Sequence, residues 1–349
     1  MKHLLFYLLS FFICQTAESQ KKTLKMILEQ KQSAITDTIF RLTAADSSLA
    51  YIPATLISGR HKGPTFTISA GIYGMGYSAI ASLLQLRREI DPEKLSGSLI
   101  IIPIMNLESF YNRTPFVSPG DQLNLNLAFP GSPAGTITEV TADFITTGIF
   151  DATDIFLEMH GGGVNENLIA HACYYDNKEF QNQTLLAARL SEISGLSTVV
   201  SQPYTQASGQ PARQAFKQAV RLGIPALSIA IGKLGSNEKT DILSAKNAVY
   251  RMMHELKMYE NKKVAAASPV KHRYTKQVSV SSTGRGLFHS SFKAGGIVTK
   301  DEEIGYITDV FGRNVRIITA PLSGTILKKN MGLAVDDGEI LFYIGRREK

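Results

Sequence analysis

His160 closes an apolar run, Ile155-Phe-Leu-Glu-Met159, and is followed at once by Gly161-Gly-Gly163. An imidazole at the end of a buried strand can bind a metal ion or exchange hydrogen bonds inside a pocket. Alone it makes no metal site. Structural zinc is held by about 10–16 kcal/mol over four ligands, so one evenly shared ligand contributes roughly 3–4 kcal/mol, about millimolar affinity. Glu158 precedes His160 by two residues and shares its face only if the strand is regular. A second glycine-rich stretch, Ile68-Ser-Ala-Gly-Ile-Tyr-Gly-Met-Gly76, reads as a strand that turns tightly into a helix, a usual place for a catalytic site. Tyr73 there is either a ring that fills space or a phenol whose pKa, normally about 10, would have to fall far. Asn126 either contacts a ligand or fixes a turn through side-chain to backbone bonds. Arg113 is either an anion-binding side chain or a surface one. His171, His254 and His289 lack partners at ligand spacing and read as structural. Gly161-Gly-Gly163 lets backbone pass close to a pocket and does not match a phosphate-binding loop.

Those residues must be positioned by the elements around them. A polar helix and irregular chain are expected over 20–48, then strands at 50–60 and 64–71 with Lys62-Gly-Pro64 as their turn. Helices are expected at 77–90, 136–150, 183–194, 209–221 and 242–259. Strands are expected at 99–103, 155–159, 197–201 and 225–231, and His171-Ala-Cys-Tyr-Tyr175 looks like a buried strand. This alternation predicts an α/β layered domain over 20–261 with a mixed central sheet flanked by helices. Residues 262–274 have a linker's composition. From 275 to 349 short strands separated by glycine turns form a C-terminal β-rich domain. Two segments there repeat weakly, Gly296–Ile307 and Gly332–Ile344.

With 349 residues, 44% of them apolar, the chain can bury one large core and a smaller one. A net charge of +7 is spread along the chain without interleaved aromatics, so no nucleic-acid grip is expected. Residues 1–19 read as a signal peptide: a basic start, an apolar run too short to span a bilayer, and small residues at Ala17 and Ser19. Ile13 and the aromatics before Cys14 do not fit a lipid-attachment site, so export to the periplasm or outside the cell is expected, with no stable membrane anchor. Cleavage leaves Cys173 alone, without an internal disulfide, as an inert core thiol.

The turn at residues 68–76 resembles the Gly-x-His-Gly-x-Glu turn of the succinylglutamate desuccinylase/aspartoacylase family, zinc-dependent deacylases related to the carboxypeptidases. Four further pieces follow in the family's order: Ile102-Pro-Ile-Met-Asn106, Asn124-Leu-Asn-Leu-Ala-Phe-Pro-Gly131, Glu158-Met-His-Gly-Gly162 and Gly223-Ile-Pro-Ala-Leu-Ser-Ile-Ala-Ile-Gly232. The resemblance implies a zinc-carboxypeptidase-like sheet and a terminal β-sandwich of biotinyl/lipoyl type, acting as a cap or substrate gate. It also implies zinc, bound by a His and a Glu in the first turn and by His160. Here the first two positions hold Tyr73 and Gly76, and the general-base position holds Ala230. Arg113 and Asn126 match substrate-binding positions, while the Arg that follows Asn126 in the family is Leu127.

A zinc deacylase needs an open metal position, a carboxylate base for the water's proton and cations for the substrate's carboxylate. Four of the principal positions lack that chemistry. The expectation is therefore an exported protein that has lost deacylation, with zinc absent or weakly bound, and a pocket that takes a small carboxylate or peptide-like ligand, or nothing. An alternative is an active zinc hydrolase of N-acyl amino acids or related amides, with non-standard ligands such as Glu139, Glu158 or Glu166. A third class is an interaction protein docking through residues 275–349.

Overall fold

The computed structural model describes residues 17–28, 33–205, 207 and 209–348, so most of the expected signal peptide (1–16) lies outside the described residues. The chain begins with α1 (Ala17–Leu28), β1 (Ala34–Thr43), β2 (Leu49–Ser58), β3 (His61–Ala70), α2 (Tyr77–Glu89), β4 (Ser96–Ile102) and α3 (Leu107–Asn112). It continues through α4 (Ile137–Phe144), β5 (Ile155–His160), β6 (Glu166–Leu168), β7 (His171–Asp176), α5 (Gln181–Ile193), β8 (Thr198–Pro203), α6 (Ala215–Arg221), β9 (Ala226–Ala230) and α7 (Lys239–Glu255). Strands complete it: β10 (His272–Ser281), β11 (Gly286–His289), β12 (Ile297–Val298), β13 (Glu303–Thr308), β14 (Arg316–Thr319), β15 (Gly324–Asn330), β16 (Ala334–Val335) and β17 (Ile340–Arg347).

Alternation along the strands builds two cores, because successive side chains point to opposite faces. In β5, Ile155, Leu157 and Met159 join the core covered by α2, α5 and α7, through residues such as Leu83, Leu190 and Met253. Phe156 points the other way, into a core closed by α1, α4 and α6 through Leu24, Phe144 and Phe216. The result is the expected mixed α/β sandwich. Its main sheet runs β1-β2-β4-β3-β5-β9-β7-β8-β10-β17-β15-β12, with β6 attached to β15. Strands β4, β3, β5 and β9 are mutually parallel, and β7 returns antiparallel beside β9.

Two expected elements differ. The irregular chain before residue 48 contains β1, which pairs with β2 from Ala34–Ser58 to Thr43–Leu49. As an edge strand it buries Phe40 and Leu42 while Ile39 stays exposed, so Asp37 and Arg41 cost it nothing. The helix expected from 209 begins only at Ala215, because Arg213 and Phe129 exchange both backbone hydrogen bonds at 2.8 and 2.9 Å. That ladder and the left-handed φ of 68° at Arg213 exclude helix there.

β10 begins at His272 and pairs parallel with β8, carrying the main sheet into the carboxyl-terminal region. A separate sheet, β14-β13-β11-β16, faces this extension over a third core containing Phe288, Ile307, Phe342 and Ile344. This is the small terminal β domain. Its internal repeat has a physical basis in two matching turns. In Thr299–Glu302 the Glu302 carboxylate accepts from the Thr299 N–H at 2.7 Å, and in Asp336–Glu339 the Glu339 carboxylate accepts from the Asp336 N–H at 3.0 Å.

Candidate functional site

The parallel strands β3 and β5 end at the two glycine-rich segments, and a cavity of about 320 Å³ opens there. Carboxyl ends of strands are the usual ligand-binding edge of such sheets. β5 is regular, so Glu158 and His160 face the cavity together. Its neighbours bring equivalent positions into line: His160, Ala230 and His171 form one row across β5, β9 and β7. Glu158, Ser228 and Cys173 form the next row inward.

Glu158 is the more buried of the cavity's two acids. Its side chain is 3% exposed, and Oε2 lies 3.7 Å from His160 Nε2, outside hydrogen-bond range. Oε1 has no hydrogen-bond partner among the described residues. His171 Nδ1–H donates to the Ile169 carbonyl at 2.9 Å. Burial pushes its pKa down, helped by His160 and Lys328 and opposed by that carbonyl. Cys173 is buried and its thiol is pushed up to about 12 by that burial, as an inert thiol should be.

The turn after β3 delivers Tyr73 to the same cavity. Its ring stacks on His160 at 5.7 Å between centroids and leans on Phe116 at 5.0 Å. Its hydroxyl accepts from Asn126 Nδ2 at 2.7 Å. Asn126 Oδ1 in turn accepts from the Ala215 N–H at 3.1 Å, tying Tyr73 to the first residue of α6. Burial, and then the Glu158 charge, pushes the Tyr73 phenol up, against the weaker effect of Asn126. The ring is therefore held as a neutral phenol.

Gly76 begins α2 with φ 96°, a conformation that strains any side chain, and a Cβ there would lie 2.9 Å from the Gly161 nitrogen. A Cβ on Gly161 would lie 2.3 Å from the Gly76 carbonyl carbon. The two glycine-rich segments thus touch backbone to backbone beside His160, where neither can carry a side chain without moving.

The outer wall comes from the carboxyl-terminal region: Gln277, Leu327, Lys328 and Tyr343 all line the cavity. Lys328 Nζ meets Glu166 Oε1 at 2.5 Å and lies 4.9 Å from the Tyr343 ring. Glu166 Oε2 accepts from the Gly163 N–H at 2.7 Å. Burial opposes ionisation of Glu166, but Lys328 and the Gly163 N–H outweigh it and hold the carboxyl below its usual range. The terminal domain is therefore part of the cavity itself.

Of the sequence-derived positions, Tyr73, Gly76, Asn126, His160 and Ala230 converge on this cavity. Arg113 does not: it is exposed at the end of α3, in left-handed backbone with φ 55°. Leu127 is 55% exposed and also points away. Glu139 is tied to the start of α4, where its carboxylate accepts from the Thr136 N–H at 2.9 Å. Sequence reasoning reads His171 as structural, yet it lines the cavity in His160's own row, and it misses Lys328, Gln214 and Tyr343 altogether. The strand pattern around His171 was the available signal; nothing local marks Lys328.

The model of the succinylglutamate desuccinylase/aspartoacylase catalytic domain matches residues 62–256, more than half of the chain. The protein belongs to the succinylglutamate desuccinylase/aspartoacylase family. The chain is similar to N-alpha-acetyl-L-2,4-diaminobutyric acid deacetylase of Halomonas elongata, with 35% identity over 142 residues. That match spans 40% of this chain and 40% of the relative. Among solved structures, the product-bound ectoine utilization protein EutE (DoeB) from Ruegeria pomeroyi superimposes with TM-score 0.77 at 20% identity, over 91% of this chain and 97% of its own. The succinylglutamate desuccinylase/aspartoacylase from Rhodobacter sphaeroides gives 0.75 at 19%, over 91% and 97%. At such identities these structures speak for the fold, including the terminal domain.

Proposed function

We propose that this member of the family is an exported protein that has lost zinc-dependent deacylation and uses its cavity to bind a small polar molecule, a carboxylate or peptide-like compound in the broad sense. One observation carries the reading. The positions at which the family resemblance implies a ligand and a base come together around His160, but hold Tyr73, Gly76 and Ala230. The donor set does not fit zinc. Tyr73 has its hydroxyl engaged by Asn126 and its ionisation opposed by burial. Gly76 has no donor and no room for one. Ala230 offers a methyl group where a base would take a proton from water. No reaction step is assigned to these residues.

The test is a metal analysis of protein purified without chelator, together with an assay for amine released from N-acyl amino acids. Substoichiometric zinc and no amine release are expected; tight stoichiometric zinc overturns the reading. Fractionation of expressing cells tests export, which predicts the protein outside the cytoplasm.

The Glu158 carboxylate beside His160, with Glu166 on the same cavity wall, favours one second reading, a zinc hydrolase with substitute ligands. In that case His160→Ala abolishes turnover, and turnover that survives the substitution eliminates it.

A further inference from the structure

Glu158 sets an electrostatic problem that the protein itself does not solve. Its carboxylate is buried on the cavity floor, with Oε1 unpartnered among the described residues. Leaving such an acceptor without a donor is expensive, and more so in a low-dielectric site. The other acid of the cavity, Glu166, is already matched by Lys328 and the Gly163 N–H. Arg113 and Leu127, at positions the family uses to hold anions, both face solvent. The cavity therefore keeps one unmatched acid and, among its described lining residues, no Lys or Arg outside an ion pair.

We propose that the cavity takes a ligand with a primary ammonium group, seated on the Glu158 carboxylate with its carbon chain against Tyr73 and Tyr175. Three features select an ammonium over a metal cation as the source of positive charge. Two aromatic rings, Tyr73 and Tyr175, line the cavity together with Glu158. Aromatic faces favour organic cations. Among the described residues no three His, Cys, Asp or Glu side chains are placed to hold an ion. The floor row also puts Ser228 beside Glu158, a hydroxyl that can accept a further N–H of an ammonium. This narrows the small polar ligand of the proposed function to an amine, in place of a simple carboxylate, and rests on its reading that no metal ion neutralises Glu158.

The test is calorimetric titration of the full chain, its metal content measured beforehand, with n-butylammonium, butyrate and the neutral N-butylacetamide. Butylammonium is expected to bind one per chain, with butyrate and the amide weaker by about tenfold or more. Glu158→Gln should weaken butylammonium by about tenfold, the loss of one charge-assisted contact, while Glu166→Gln should change it far less. Butyrate or the amide binding as well as the amine overturns the proposal without recourse to any variant. Unchanged amine affinity in folded Glu158→Gln does the same. Stoichiometric zinc in the purified protein overturns the metal-free reading separately. Amine binding after chelation would then still support the Glu158 seat, and its absence before and after chelation would overturn that seat.

Discussion

The two glycine-rich segments at the mouth of the cavity differ in what they present to it. The segment 71–76 keeps the tight turn into α2 but presents only a hydrogen-bonded ring and bare backbone. The segment 158–163 keeps Glu158 and His160, both directed at the cavity. They meet at Gly76 and Gly161, whose backbones pack too closely for a Cβ on either. The contrast teaches that geometry and chemistry can be retained separately. The turn and the strand end hold the sheet edge together through their backbones, which need no particular donor side chain beside them.

If the contact between the segments is structural, Gly161→Ala should be among the most damaging small substitutions, costing about 3 kcal/mol through overpacking. Urea unfolding measures it, and a loss of less than about 0.5 kcal/mol would mean the segments have slack. Removing the cation of the outer wall comes next. Lys328→Met leaves Glu166 buried with only the Gly163 N–H, at a cost of about 2 kcal/mol once partial exposure is allowed for. The same measurement checks it, and Glu166→Gln combined with Lys328→Met should recover part of the loss. Asn126→Ala removes the bond that holds Tyr73 against His160 and the contact with Ala215, and should cost about 1 kcal/mol. A stability equal to wild type would show that ring packing alone fixes Tyr73.

The smallest expected effect is on the acid side. Burial holds the folded pKa of His171 below the ordinary imidazole value of about 6.5, so the unfolded chain binds its proton first as pH falls. The stability linked to it is present above about pH 6.5 and is lost below, toward the depressed folded pKa. Glu166, also depressed, adds a further loss at lower pH, below the ordinary carboxylate range. Unfolding followed between pH 7.5 and pH 5 should show a shallower decline in His171→Gln than in wild type, and identical slopes would remove His171 from the account.

Much of the fold was legible because buried strands write themselves as apolar runs. Leu99 to Ile102 and Ile155 to Met159 needed no partner to be recognised. Edge strand β1 was not legible, since only Phe40 and Leu42 of its ten residues are buried and Asp37 lowers the local strand signal. The pairing of β10 with β8 joins residues across a stretch of linker-like composition, and no local pattern encodes it. At the site, the floor and the turn could be read from the order of short motifs. The Glu166–Lys328 pair could not, because its members are 162 residues apart and each resembles an ordinary surface charge in its own segment. Arg113 was misleading for a related reason: a motif places a residue in the chain, while the left-handed backbone at the end of α3 leaves it exposed and outside the cavity lining.

The central claim, that one imidazole beside a neutral phenol and two side chains of minimal size does not hold a catalytic metal, is tested most directly by titrating chelator-treated wild-type protein with zinc. The account predicts affinity no tighter than about millimolar, the level one imidazole can supply, and no detectable site when His160 is replaced by Ala. A single site of micromolar or tighter affinity that disappears in His160→Ala would contradict it.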